Sequence, residues 1–358
     1  MKKLFSFFNL SYGQKRFSGK VQTFAFNLQV SEINKYIHQS ILRIMKSIHS
    51  LIIFAVVSLS ACVNKSSKDA GSGKGFAPEM AEFEPYQKNP VFTHGDSSTW
   101  DNSIRERGFI LYEDTIYKMW YTGFKEPNTD TTIKYLGYAT SKDGINWERY
   151  PGNPIFTDKW TEDMIVFKQD GKYHIYAEGF KDIAHLMISD DGIHWKEQGD
   201  LKITTTKGDT LPGPYGTPTV FVEDGKWYLF YEISDAAIWV ATSTDKINWK
   251  NISDEPVIKP GPEKYDLGAV AANQVIKHKG KYYLYYHANA DTEWQSNSGA
   301  WNSNVAMSED LIHWKKYPGN PLVDGDHSSP IVVDDGKKVR LYTMHPDVWM
   351  YEAKGKSE

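Results

Sequence analysis

Five short stretches that read as β-hairpins carry most of the candidate chemistry, and they carry it just ahead of their turns. They are "FILYEDTIYKMWY", "MIVFKQDGKYHIYAE", "TVFVEDGKWYLFYE", "QVIKHKGKYYLYYH" and "IVVDDGKKVRLYT". Counting back from the turn glycine, or from its equivalent Thr115, the eighth residues are Arg107, Asp163, Thr217, Ala272 and Ser328. The ninth are Glu106, Glu162, Gly216, Ala271 and His327, and the tenth are Arg105, Thr161, Tyr215, Val270 and Asp326. On an extended strand the tenth and eighth side chains share a face, and the ninth points away unless a bulge intervenes. Arg105 and Arg107 are then expected to face the same space as Asp163 and Tyr215. Such a cationic cleft would grip a carboxylate or sulfate on a sugar through Arg forks. An ordinary salt-bridge network fits the same residues.

The elements that must position these residues are legible in a repeat. "YATSKDGINW", "LMISDDGIHW", "VATSTDKINW" and "VAMSEDLIHW" end at Trp147, Trp195, Trp249 and Trp314, spaced by 48, 54 and 65 residues. These spacings are near the length of a four-stranded propeller blade. Each copy follows one hairpin, and turn pairs such as Asp170-Gly171 and Asp224-Gly225 between aromatic and β-branched residues are strong hairpin signals. Five hairpins predict an all-β, five-bladed β-propeller whose innermost strands begin around a central channel. Too little chain follows the last hairpin to finish its blade. "FEPYQKNPVF", ahead of the first hairpin, is the expected partner that closes the ring. One Trp per blade reads as packing between blades rather than ligand contact.

Charge and composition bound the partners. Net charge is -4, with 41 basic against 45 acidic residues and no basic block, so nucleic acid is excluded as an expected partner. Aromatics make up 14% of the chain, which suits strands and also supplies flat platforms for sugar rings. Cys62 is the one cysteine, which rules out a disulfide framework and a cysteine metal site. "MKSIHSLIIFAVVSLSAC", from Met45, has a basic start, a short apolar run and Leu59-Ser60-Ala61-Cys62 at its end. It resembles a bacterial lipoprotein signal, cut before Cys62, and its apolar run is too short to span a bilayer. The expected organisation is an upstream extension (1–44), a signal peptide (45–61), a lipidated linker (62–81) and a propeller (82–358). Acyl chains on Cys62 would hold the protein on a membrane of the cell envelope.

"WDNSIRERGFILYEDTIYKMWYTG", "LGYATSKDGINW" and "GTPTVFVEDGKWYLFYE" resemble the five-bladed propellers of glycoside hydrolase family 43 and its relatives in families 32, 68 and 130. The resemblance implies an oligosaccharide substrate and three carboxylates: a base on blade I, a pKa-tuning Asp on blade II and an acid on blade III. Two carboxylates are the chemical minimum, one to protonate the departing oxygen and one to activate water or attack carbon. Asp163, with Glu162 beside it, matches blade II. Asp101 or Glu106 would be the base, with Arg107 standing where that base is expected. Blade III has Tyr215, Gly216 and Thr217 in its cavity segment, with Glu223 in the turn and Glu232 at the far end of the next strand. Substitute acids are His327, Asp326, Asp266 and Glu178. Trp100 and His287 join Arg105, Arg107 and Glu162 as expected substrate contacts. No cofactor is required for catalysis, although the resemblance implies a structural divalent cation, calcium, with His327 as its expected ligand.

Three readings follow. The first is a glycoside hydrolase-like enzyme acting on the end of an acidic oligosaccharide. The second is β-elimination at a uronic acid, as a lyase or dehydratase, with an Arg neutralising the carboxylate while Tyr215 or His327 takes the proton. The third is a glycan-binding lipoprotein without catalysis.

Overall fold

The protein is described by a computed structural model over residues 75–127, 132–297, 299–345 and 347–354. The signal, Cys62 and most of the linker lie outside the described residues, as do the side chains of Arg105 and Glu106. After a short helix α1 (Pro78–Ala81) comes β1 (Phe83–Pro85), followed by five successive antiparallel sheets. Blade I comprises β2 (Ser103–Glu113), β3 (Ile116–Phe124), β4 (Tyr135–Ser141) and β5 (Trp147–Arg149). Blade II comprises β6 (Glu162–Gln169), β7 (Lys172–Gly179), β8 (Ile183–Ser189) and β9 (Trp195–Asp200). Blade III adds β10 (Lys202–Thr204), parallel to its outer strand, to β11 (Gly216–Glu223), β12 (Lys226–Glu232), β13 (Ile238–Ser243) and β14 (Asn248–Asn251). Blade IV runs through β15 (Ala269–His278), β16 (Lys281–Asn289), β17 (Trp301–Ser308) and β18 (Trp314–Lys316).

Blade V has only β19 (Ile331–Asp334), β20 (Val339–Met344) and β21 (Val348–Ala353) from the C-terminal part of the chain. Its fourth strand is β1, with Phe83 opposite Ala353 and Pro85 opposite Tyr351. The two ends of the described chain thus close the ring in one sheet. Among the described residues no helix is long and apolar enough to cross a membrane.

The repeat is a folded turn. In blade I, Ser141 Oγ donates to Asp143 Oδ1, which also accepts the amides of Ile145 and Asn146 at 2.9 and 2.8 Å. The same cage recurs at Asp191, Asp245 and Asp310. A residue in each turn adopts a left-handed backbone, Gly144, Gly192, Lys246 or Leu311. Inner aromatics reach across to these turns: Trp120 Nε1 donates to Gly192 O, Tyr176 OH to Lys246 O and Tyr342 OH to Gly144 O. The "DGxxW" signature therefore makes the blade-to-blade joint, pairing buried polar groups that would otherwise be costly.

Candidate active site

In each of blades I to IV the inner strand breaks register at one depth: between Arg105 and Phe109, Glu162 and Ile165, Gly216 and Thr219, and Ala272 and Gln274. Arg107, Asp163 and Thr217 occupy the bulges with φ of 41°, 46° and 41°. A left-handed backbone is costly for a β-branched threonine and is held only where the surroundings over-determine it. The bulge also cancels simple alternation, so Glu162 and Asp163 both turn toward Glu178. One oxygen of each lies within 4.8 Å of the others.

A pocket of about 210 Å³ opens where β6 and β11 begin and β7 and β12 end. Asp163, Glu178 and Glu232 form its acidic floor, with Thr217 between blades II and III. All four are buried, at 4%, 7%, 4% and 5% exposure. The Thr217 amide donates to Glu178 Oε2 at 2.9 Å, and the Asp235 amide donates to Glu232 Oε2. A Cβ on Gly216 would stand 1.8 Å from Glu232 Oε1 and 2.8 Å from Glu178 Oε2. The absence of a side chain there is what lets the two carboxylates approach one point. Two tight turns complete the acidic lining: Lys181-Asp182 and Ser234-Asp235 each place two successive residues at positive φ, turning Asp182 and Asp235 to the pocket. His287, Trp294 and Trp301 form the blade IV wall. The Trp301 ring lies 5.0 Å from His287 and 5.1 Å from Trp294, edge to face.

Burial in this acidic company holds protons on the floor. Glu232 is raised to about 7, chiefly by burial and also by the charge of Asp182, against the opposing pull of the Asp235 amide and Arg107. Glu178 is pushed well above the ordinary carboxylate range, first by burial and then by Asp163, Glu162, Asp182 and Glu232. Burial and the neighbouring carboxyl groups thus favour the protonated forms of Glu178 and Glu232. Three hard oxygen donors are also what a divalent cation takes, so a cation in the channel would find its ligands at Glu162, Asp163 and Glu178.

The expected cationic cleft is corrected. Arg107 is fully buried, and its guanidinium donates to the carbonyls of Pro218, Ala272 and Asp163 and to Thr219 Oγ1. It plugs the channel and ties blade I to blades II, III and IV. Its Nε lies 3.8 Å from Asp163 Oδ1, beneath the pocket floor. Tyr215 is turned away from general-base work: its hydroxyl donates to Leu211 O, its ring packs edge-on to Tyr231, and burial raises its pKa. His327 packs on Trp349 at 4.3 Å with its pKa lowered by burial, and it is not among the pocket's lining residues. Asp101 accepts from Tyr121 OH at 2.9 Å and Arg149 Nε at 2.8 Å, and Trp100 stacks on Tyr121. Both therefore brace blade I outside the pocket lining. Glu162 is buried beside the floor, and His287 lines the pocket, with Asn273 Nδ2 3.2 Å from its Nδ1. Arg105 and Glu106 stand on β2, with side chains outside the described residues.

The blade III carboxyl group that reaches the pocket is Glu232, which sits in the fifth place after Trp227. The same count from Tyr117, Tyr173 and Tyr282 gives Thr122, Glu178 and His287. Register places this second-strand row at the pocket end of the channel, with Glu162 opposite Glu178 and Gly216 opposite Glu232. A count forward from the turns would have found it.

The fold is shared with solved structures described as a glycosidase and as mannoside phosphorylases and hydrolases. No family model matches the chain. It is 26% identical over 230 residues, 59% of its own length and 73% of the relative's, to the 1,2-β-oligomannan phosphorylase of Thermoanaerobacter sp. (strain X514). The β-1,2-mannobiose phosphorylase of Listeria innocua, solved with β-1,2-mannobiose, superimposes with a TM-score of 0.57 at 17% identity, over 75% of this chain and 95% of that one. A structure from the mannoside phosphorylase family 130, described as containing glycoside hydrolases that target β-1,2 mannosidic linkages in Candida mannan, gives 0.60 at 16% identity, over 76% and 94%. The similar proteins are glycosidase-like and phosphorylase-like carbohydrate-active enzymes.

Proposed function

We propose that the chain is a glycoside hydrolase acting on an uncharged oligosaccharide, with a β-1,2-linked mannoside as the first substrate to test. The carrying observation is the pocket floor: Asp163, Glu178 and Glu232 converge, with no Lys or Arg among the described lining residues. Phosphorolysis must bring an inorganic anion to the reacting carbon, and elimination must hold a uronate. The lining carboxyl groups, Asp163, Glu178, Asp182, Glu232 and Asp235, give either anion no Lys or Arg partner among the described residues. They suit hydroxyl groups, which donate to carboxylate oxygens.

In this reading Glu232 is the general acid. Its proton is retained to about pH 7 and passes to the departing glycosidic oxygen. Asp163, 3.8 Å from the Arg107 Nε, takes the proton of the attacking water. Glu178 holds the Thr217 amide and keeps the pair in place. Trp294 and Trp301 give the sugar ring an aromatic wall. The mannoside assignment is supported by the similarity to mannoside-active proteins. The lipobox ending at Cys62 supports export and attachment to a membrane of the cell envelope.

A panel of neutral β-mannosides and uronate oligosaccharides, with products resolved by mass spectrometry, tests this. Cleavage with gain of water on neutral substrates is expected. Selective turnover of uronates, or new absorbance near 235 nm, would overturn it.

A further inference from the structure

The pocket has an aromatic surface beside it on blade II that the cleavage chemistry does not use. Trp160 lies three residues before Asp163, and Phe180 two after Glu178, so chain length alone keeps both within about 10 Å of the backbone carrying the acidic floor. Their rings lie 5.5 Å apart at 52°. Phe180 is 49% exposed and Ile183, three residues on, 40%, among the most exposed large apolar side chains described. The turn between them is the one that sends Asp182 into the pocket, so one short segment gives the pocket a carboxylate and the rim an exposed ring.

The platform is also rigidly backed. The Lys134 ammonium is buried between two rings, 5.0 Å from the Trp160 centroid and 3.7 Å from that of Phe124. Trp160 O is 3.2 Å from Nε2 of the fully buried His185, whose Nδ1 lies 2.8 Å from Glu197. An exposed phenylalanine held against a braced tryptophan loses little freedom when a flat ligand lands on it. Across the pocket, on blade IV, stand Trp294 and Trp301. Aromatic side chains thus occur in the pocket lining on blade IV and, as the Trp160–Phe180 pair, within a few residues of its blade II carboxyl groups. Such an arrangement fits a chain passing over the floor better than a single ring dropped into a well.

We propose that Phe180 and Trp160 form a second sugar-binding subsite, which stacks the next pyranose of a neutral glycan chain beyond the bond being cut. The occupant is a carbohydrate because the patch is continuous with the pocket through Asp182 and offers a ring face with polar groups beside it, the composition that receives an apolar sugar face. This rests on the hydrolytic reading of the pocket for its kinetic consequence, but not for binding.

The test compares wild type, Phe180→Ala and Phe180→Trp on a β-1,2-mannose series of two to four units and on a mannosyl fluoride, which has no second sugar. Binding of the tetrasaccharide is measured alongside. Phe180→Ala should lose about five- to tenfold in kcat/KM on the longer substrates, in line with one lost stacking contact. It should leave the fluoride unchanged, and Phe180→Trp should keep the length preference. Undiminished length preference in Phe180→Ala overturns the subsite, and so does an equal loss on the fluoride. If wild type turns over none of these substrates, the hydrolytic reading fails on its own. Weaker tetrasaccharide binding by Phe180→Ala would still support the subsite, and equal or absent binding would overturn it.

Discussion

Replacing Glu232 with Gln keeps the shape of the pocket floor and removes its proton donor. Because Glu232 is raised to about 7, wild-type kcat/KM on an unactivated mannoside should fall as pH passes through about 7, when the acid form is lost. Loss of one general acid costs about 10²–10⁴-fold, so Glu232→Gln should show that deficit at pH 6 and no longer show this basic limb. The deficit should shrink on a substrate whose departing group needs no proton, such as a dinitrophenyl glycoside. The same shift has a stability consequence of opposite sign. A carboxyl whose folded-state value is raised contributes fully below its ordinary 4.5, and that contribution is lost as pH rises through about 7. Going from 4.5 to about 7 corresponds to about 3 kcal/mol by pH 8. Glu232→Gln should therefore melt above wild type at pH 8, on the order of 6 °C higher, and close to it at pH 4.5. Activity profiles from pH 5 to 9 with parallel melts make the check. A variant that retains wild-type activity at pH 6, or melts below wild type at pH 8, would refute the assignment of a buried, protonated acid at this position.

Other substitutions separate scaffold from chemistry. Arg107→Met removes the buried plug shared by four blades and should cost about 3–5 kcal/mol in urea unfolding, with little recovery in Arg107→Lys, whose single ammonium cannot serve the same fan of acceptors. Gly192→Ala places a Cβ 3.0 Å from the Trp120 ring at a φ of +80°, and should lower stability by about 1–3 kcal/mol while leaving KM unchanged. Gly216→Ala, by contrast, drives a methyl into both Glu232 and Glu178, so kcat should collapse even where the melting temperature holds. Cys62→Ser in the full-length chain should move the protein from the membrane to the soluble fraction with kcat/KM intact, as fractionation with activity assays would show.

The architecture was legible because it is local: Asp-Gly turns between alternating strands name the hairpins, and a Ser-x-Asp cage recurs in the outer turn of each of blades I to IV. The site was legible only in part, for two physical reasons. Bulges at Arg107, Asp163 and Thr217 break the alternation on which facing was predicted, so Arg107 turns into the channel and satisfies carbonyls instead of opening to a substrate. The acid was sought on the inner strand of blade III, yet a hairpin returns its second strand to the same end of the channel. That return brings Glu232 beside Gly216, and Asp182 and Asp235 arrive by turns whose left-handed backbone no strand pattern announces.

The most direct test is incubation with β-1,2-mannotriose in ¹⁸O-labelled water containing phosphate. The account predicts free sugars alone, one ¹⁸O atom incorporated per bond cleaved, and a rate indifferent to phosphate. Release of a sugar 1-phosphate without ¹⁸O incorporation, at a rate proportional to phosphate, would contradict it.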